Sequence, residues 1–150
     1  MVQPNTDQAV IRRFQARPDT PCPVDSNSMA IALGARLVRI DEEGAVTLSF
    51  SPEPLFIQGA GVLQGGAVSA MLDFAMAFAV LAALPDGRTC ATVNLATAFL
   101  RPAPRGDYLA VGRIERKGSA VAFAQSVLMP VDAPARLVAS ASSTLMLGAG

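Results

Sequence analysis

The sequence predicts one α+β domain in which an antiparallel sheet wraps a single long, apolar central helix. Three observations carry this. Residues 67–84 (AVSAMLDFAMAFAVLAAL) are a run of small and apolar side chains holding one charge, and a helix apolar all round must be buried all round. The flanking segments alternate apolar and polar residues with the period of two that marks strands. The connections after the helix are short, whereas parallel crossovers need a dozen or more residues, so antiparallel pairing is expected. A length of 150 residues suits a single domain.

The elements follow in order. Residues 4–16 place Val10, Ile11 and Phe14 on one side of a short amphipathic helix, with a disordered N-terminal arm as the alternative. The stretch RPDTPCPVDSN is a loop. Residues 1–34 therefore read as a helix and loop packing on a main body of residues 35–150. Residues 35–41 and 45–51 alternate around Glu42-Glu43-Gly44 and form a hairpin ended by Pro52 and Pro54. A Gly-punctuated loop (LFIQGAGVLQGG) leads into the central helix, which Pro85-Asp86-Gly87 stop. Strands are expected at 89–101, 107–116, 120–129 and 136–147, with Lys117-Gly118-Ser119 as a tight turn.

Composition narrows the chemistry. The chain is 51% hydrophobic, 16% charged and 5% aromatic, without Trp, so its core draws mainly on Ala, Val, Leu and Met. Twelve basic residues balance twelve acidic ones, so no basic excess points to nucleic acid. There is no histidine, which removes Ser-His-Asp and Cys-His catalysis and His-based metal sites. Proton transfer falls to a carboxylate, Lys, Tyr or Cys. Cys22 and Cys90 lack metal-ligand spacing and read as thiols in a reducing, cytoplasmic compartment, with a disulfide between them left open. No signal peptide is evident, and the only membrane candidate, residues 59–84, carries Asp73 at its middle, so no membrane partner is expected.

Several motifs recur in a fixed order: Gln64-Gly65-Gly66, then Asp73, Thr92, Phe99-Leu100-Arg101-Pro102, Gly118 and Thr144. Together they resemble the phenylacetate-degradation type of hot-dog thioesterase over residues 59–147. That resemblance implies a hot-dog fold and cofactor-free, metal-free hydrolysis of an aromatic or medium-chain acyl-coenzyme A. It also implies a homodimer with paired central helices, with further assembly to a homotetramer. One departure stands out: the family's usual His is Gln64 here. Six residues earlier the family often has Asn, and the Gln58 found here also occurs at that place among hot-dog thioesterases with an acidic residue on the helix. The alternative is a non-catalytic acyl-CoA-binding or scaffolding protein. A dehydratase of the same fold is disfavoured by the missing histidine.

Physical roles can be assigned on this basis. Gly65 lies where the helix begins, so its free N–H suits a developing oxyanion, with a helix-packing glycine as the alternative. Asp73 is the one charge on an apolar helix, either a general base or nucleophile, or a structural carboxylate bonded to a neighbouring strand. Eight residues separate Gly65 from Asp73, about 12 Å along one helix, so one carbonyl reaches both only across two subunits. Gln58 is a candidate to bond the thioester oxygen or a water, or is a solvent-exposed loop residue; Gln64 is a candidate to line the same pocket, and Thr92 to orient a water beside Asp73, or is a plain strand threonine. Gly66, Met71, Phe74 and Phe78, with Met76, are candidates for the acyl site, or plain core. Arg101, Lys117, Gly118 and Ser119, with Arg105 and Arg116, are candidates to meet the coenzyme A nucleotide, or solvated surface.

Overall fold

A computed structural model describes residues 5–149, so the outermost ends of the expected N-terminal helix and C-terminal segment lie outside it. Helix α1 spans Thr6–Ala16, followed by strand β1 (Cys22–Pro23), helix α2 (Ser28–Ala32) and the hairpin β2 (Arg36–Ile40) and β3 (Val46–Phe50). A single 3₁₀ turn at Pro54–Phe56 precedes α3 (Gly65–Ala82). Strands β4 (Thr89–Phe99), β5 (Tyr108–Lys117), β6 (Val121–Pro130) and β7 (Ala139–Gly148) complete the chain. The short β1 and α2 were not apparent in the sequence, where Pro and Ser mark the region as loop.

All strands are antiparallel in one sheet of order β1-β2-β3-β5-β6-β7-β4. The β2–β3 turn forms because the Asp41 carboxylate accepts the N–H groups of Glu43 (3.0 Å) and Ala45 (2.8 Å), while Gly44 takes φ +86°. Strand β4 does not pair with its sequence neighbour β5. It crosses to β7 at the edge of the sheet, and β5 joins β3.

The sheet closes over α3, which is long and apolar enough to cross a membrane by length and composition but here is the enclosed core helix. Its approach to the sheet is close. Gly112 of β5 leaves no room for a side chain, since a Cβ there would stand 2.2 Å from the Ala75 carbonyl oxygen. On β6, the buried Ser126 hydroxyl donates to the Leu72 carbonyl at 3.1 Å. Ala, Val, Leu and Met fill most of the core, with Phe50, Phe78 and Tyr108 as its large members.

Helix α1 closes the far end of α3. Its face of Val10, Ile11 and Phe14 is buried, as the spacing predicts. Buried Gln8 donates to the Pro85 carbonyl (3.0 Å) and accepts from the Gly87 N–H (3.0 Å), supplying partners to the backbone just past the helix C-terminus.

Candidate active site

The helix presents one face to the edge strand β4, and that face carries the polar residues. Gly65, Ser69, Asp73 and Ala77 recur every four residues and therefore share a side. Each meets a β4 residue: Gly65 the ring of Phe99, Ser69 the Thr97 hydroxyl at 2.9 Å, Asp73 the Thr92 hydroxyl at 2.8 Å, and the Ala77 carbonyl the Cys90 thiol at 3.9 Å. A register shift between Thr92 and Asn94 lets Thr92 and Leu95, three residues apart, both face the helix side. Ser69 and Thr97 were not singled out from the sequence, although the spacing of four between Ser69 and Asp73 was the signal that could have found them.

Asp73 is half-buried on this seam. The Thr92 O–H donates to its Oδ1, and its Oδ2 has no partner among the described residues. The strand-bonded carboxylate and the chemically available carboxylate are thus the same group, one oxygen held and one free. The neighbouring Cys90 thiol is pushed up to about 11 by burial, with the charges of Asp7 and Asp73 adding to the effect. It stays protonated near neutral pH and is not a competing nucleophile.

At the other end of the stripe, α3 starts without a side-chain cap. Gln64 occupies the N-cap position with an extended backbone, exposed, its side chain bonding to no backbone N–H of the first turn. The amides of Gly65 and Gly66 have no acceptor among the described residues, the first helical bonds being made by Ala67 and Val68 to the Gln64 carbonyl. Unpaired N–H groups at a positive helix end form an anion-binding site. Gly65 packs against Phe99, whereas a Cβ on Gly66 would meet nothing within 4 Å, so only the first glycine has a packing reason within the chain.

Gln58 lies in the loop before the helix, which an Ile57–Leu63 bridge and Gly61 at φ +81° fold into a tight turn. Its side-chain oxygen accepts from the Ala60 N–H, and it is half-buried rather than free in solvent.

Other expected positions fall elsewhere. Met71, Met76 and Phe78 are fully buried and belong to the core of the chain. Phe74 is half-buried at the margin of that core. The Lys117–Ser119 turn is exposed and, through the pairings Lys117–Ala122–Leu145–Thr92, lies level with Asp73. Arg101 follows Phe99 at the Gly65 end, where its guanidinium donates to the Leu137 carbonyl at 2.6 Å. Nine residues of strand separate those levels, roughly 25–30 Å, so one chain does not bring Arg101 and the turn onto one small anion. Among the described residues, no group of His, Cys, Asp and Glu is arranged to hold a metal ion.

Comparisons with known proteins bear on the family and the fold. The thioesterase superfamily model matches residues 60–129, which contain both ends of the polar stripe. A phenylacetic acid degradation-related candidate thioesterase from Ralstonia eutropha JMP134 superposes with a TM-score of 0.76 at 34% identity, over 89% of this chain and 97% of its own. The PaaI protein of the E. coli phenylacetic acid degradation operon shares the fold, with a TM-score of 0.73 at 17% identity over 97% of this chain and 94% of its own. A Halobacterium salinarum protein described as a candidate esterase is 40% identical over 77 residues, 49% of this chain; the match spans half (50%) of that relative's length.

Proposed function

The chain belongs to the thioesterase superfamily with a hot-dog fold, and from that premise we propose that it is an acyl-coenzyme A thioesterase, acting on an aromatic or medium-chain acyl group at a site shared between two copies. The observation that carries the proposal is the polar stripe on α3, with two unpaired amides at one end and a Thr92-held carboxylate at the other.

The chemistry follows from charge development. Attack on a thioester carbonyl builds negative charge on its oxygen, which the Gly65 amide at the positive end of α3 stabilises. The Asp73 carboxylate takes a proton from the attacking water, whose oxygen bonds to the carbonyl carbon. The C–S bond then breaks, and the departing sulfur recovers the proton. Neither a metal nor a cofactor enters this scheme.

Two copies are required because donor and base stand about 12 Å apart on one helix. The edge strand supports the pairing. β4 is eleven residues long, bonded on one side only, and exposes Val93, Leu95 and Phe99. A long apolar edge is a template for strand pairing, whereas the opposite edge, β1, has only two residues. Antiparallel β4–β4 pairing about a two-fold axis sets the second copy's Gly65 amide opposite Asp73. It also carries the second copy's Arg101 toward the Lys117–Ser119 turn, so the two cationic regions converge on one coenzyme A.

Complementation tests this directly. Gly65→Pro deletes the amide N–H at the first helical position, where proline is compatible with the backbone and Gln64 before it has ψ 140°, while Gly65→Ala adds the same Cβ, 3.2 Å from the exposed Phe99 ring, and keeps the N–H. Gly65→Pro should lower kcat for acyl-CoA hydrolysis by about 10²–10³ relative to Gly65→Ala. Asp73→Asn should lower it by about 10²–10⁴. Co-expressing Gly65→Pro with Asp73→Asn creates dimers with one intact site, restoring about a quarter of wild-type activity for random pairing. No recovery in mixed dimers would refute the shared site. Tight acyl-CoA binding without turnover by the wild type would return the non-catalytic alternative.

A further inference from the structure

We propose that Phe99 is the residue that sets acyl-chain selectivity, an inference that rests on the thioesterase reading above. Phe99 pairs with Ala139, which is fully buried, so the ring points to the helix side of the sheet. An aromatic side chain on that side would ordinarily be covered. This one is 57% exposed because β4 is the open edge of the sheet and α3 begins beside it with a glycine. A Cβ on Gly65 would lie 3.2 Å from the ring's Cζ, so the ring rests against the bare backbone of Gly65 and its remaining surface stays open.

An open apolar depression of about 340 Å³ runs from this contact, lined by Gly65 with Val62, Leu63, Val68, Phe99 and Leu100. Arg101 also borders it, with its guanidinium engaged by the Leu137 carbonyl. The unpaired Gly65 amide opens beside the same depression. A thioester oxygen bonded to that amide holds its carbonyl carbon within about 4 Å of the nitrogen. The first carbons of the acyl group are then delivered to the depression, and Phe99 forms its wall. Each methylene that enters adds about 4-fold to transition-state binding, until the ring blocks the chain.

The test is kcat/KM for straight-chain acyl-CoAs from acetyl to palmitoyl, measured on the wild type, Phe99→Ala and Phe99→Leu. Removing the ring lengthens the depression. The preferred chain should become longer in Phe99→Ala, with the long-to-short ratio of kcat/KM rising at least tenfold, and should shift less in the same direction in Phe99→Leu. A uniform loss at every chain length, or an unshifted optimum in both variants, would overturn the inference and leave Phe99 as a support for the helix start. In that case the wild-type activity would still stand. A wild type that hydrolyses no acyl-CoA in the series would remove the thioesterase reading, and this slot with it.

Discussion

A methyl group at Gly112 should wedge the central helix off its sheet. A Cβ there would lie 2.2 Å from the Ala75 oxygen, 2.3 Å from the Ala75 carbonyl carbon and 2.8 Å from the Met76 nitrogen. All three are helix backbone and have no rotamer to yield, so α3 must rise by about 1 Å to restore ordinary contact. Such overpacking costs about 1–3 kcal/mol. The same movement stretches the Ser126–Leu72 bond from 3.1 Å past the hydrogen-bonding limit, adding about 0.5–1.5 kcal/mol. A total of about 2–4 kcal/mol corresponds to a Tm lowered by roughly 4–16 °C in a domain of this size. Thermal unfolding of Gly112→Ala followed by circular dichroism measures it, with Gly59→Ala as the control because a Cβ there meets nothing within 4 Å. A Gly112→Ala protein melting within about 2 °C of wild type would refute the close approach of helix and sheet.

Further outcomes follow from the same contacts. Thr92→Val removes the donor to Asp73 and should cut kcat by about 10- to 100-fold with KM little changed, while Thr92→Ser recovers most of it; equal kcat in the valine variant would dismiss the hydroxyl's role. Leu95→Lys puts a charge at the middle of the open edge strand β4 and should abolish both dimerisation, read by sedimentation, and hydrolysis; a monomer with full activity would exclude the shared site. Cys90 is raised from its usual 9.0 to about 11, so its contribution to stability is complete below pH about 9 and is lost as pH rises through about 11. Urea unfolding at pH 10 should therefore release a proton that Cys90→Ala does not, and identical release by both proteins would contradict this. Gln8→Ala strips partners from the Pro85 carbonyl and Gly87 amide and should lower stability by about 1–3 kcal/mol in denaturant titration.

Much of the fold was legible because it is written in local periodicity. The β2–β3 hairpin, the helix ended by Pro85-Asp86-Gly87 and the four later strands fall within a few residues of their expected limits. The candidate site was legible only in part. Asp73 and Thr92 meet, and Gly65 presents an unpaired amide. Met71 and Phe78, by contrast, lie in the core, because a helix apolar on every side does not declare which azimuth faces the sheet.

The sequence by itself determined that a lone carboxylate would sit on an enclosed helix eight residues after an uncapped glycine, since helix propensity, breakers and spacing are properties of neighbouring residues. Only the tertiary structure decided that β4 would leave β5 for β7, become an open apolar edge, and lie along the Gly65–Asp73 face. Strand partnership is a non-local choice, made by which pairing closes the sheet over α3 and tolerates the Gly112 contact. That choice is distributed over the whole core and is carried by no single segment.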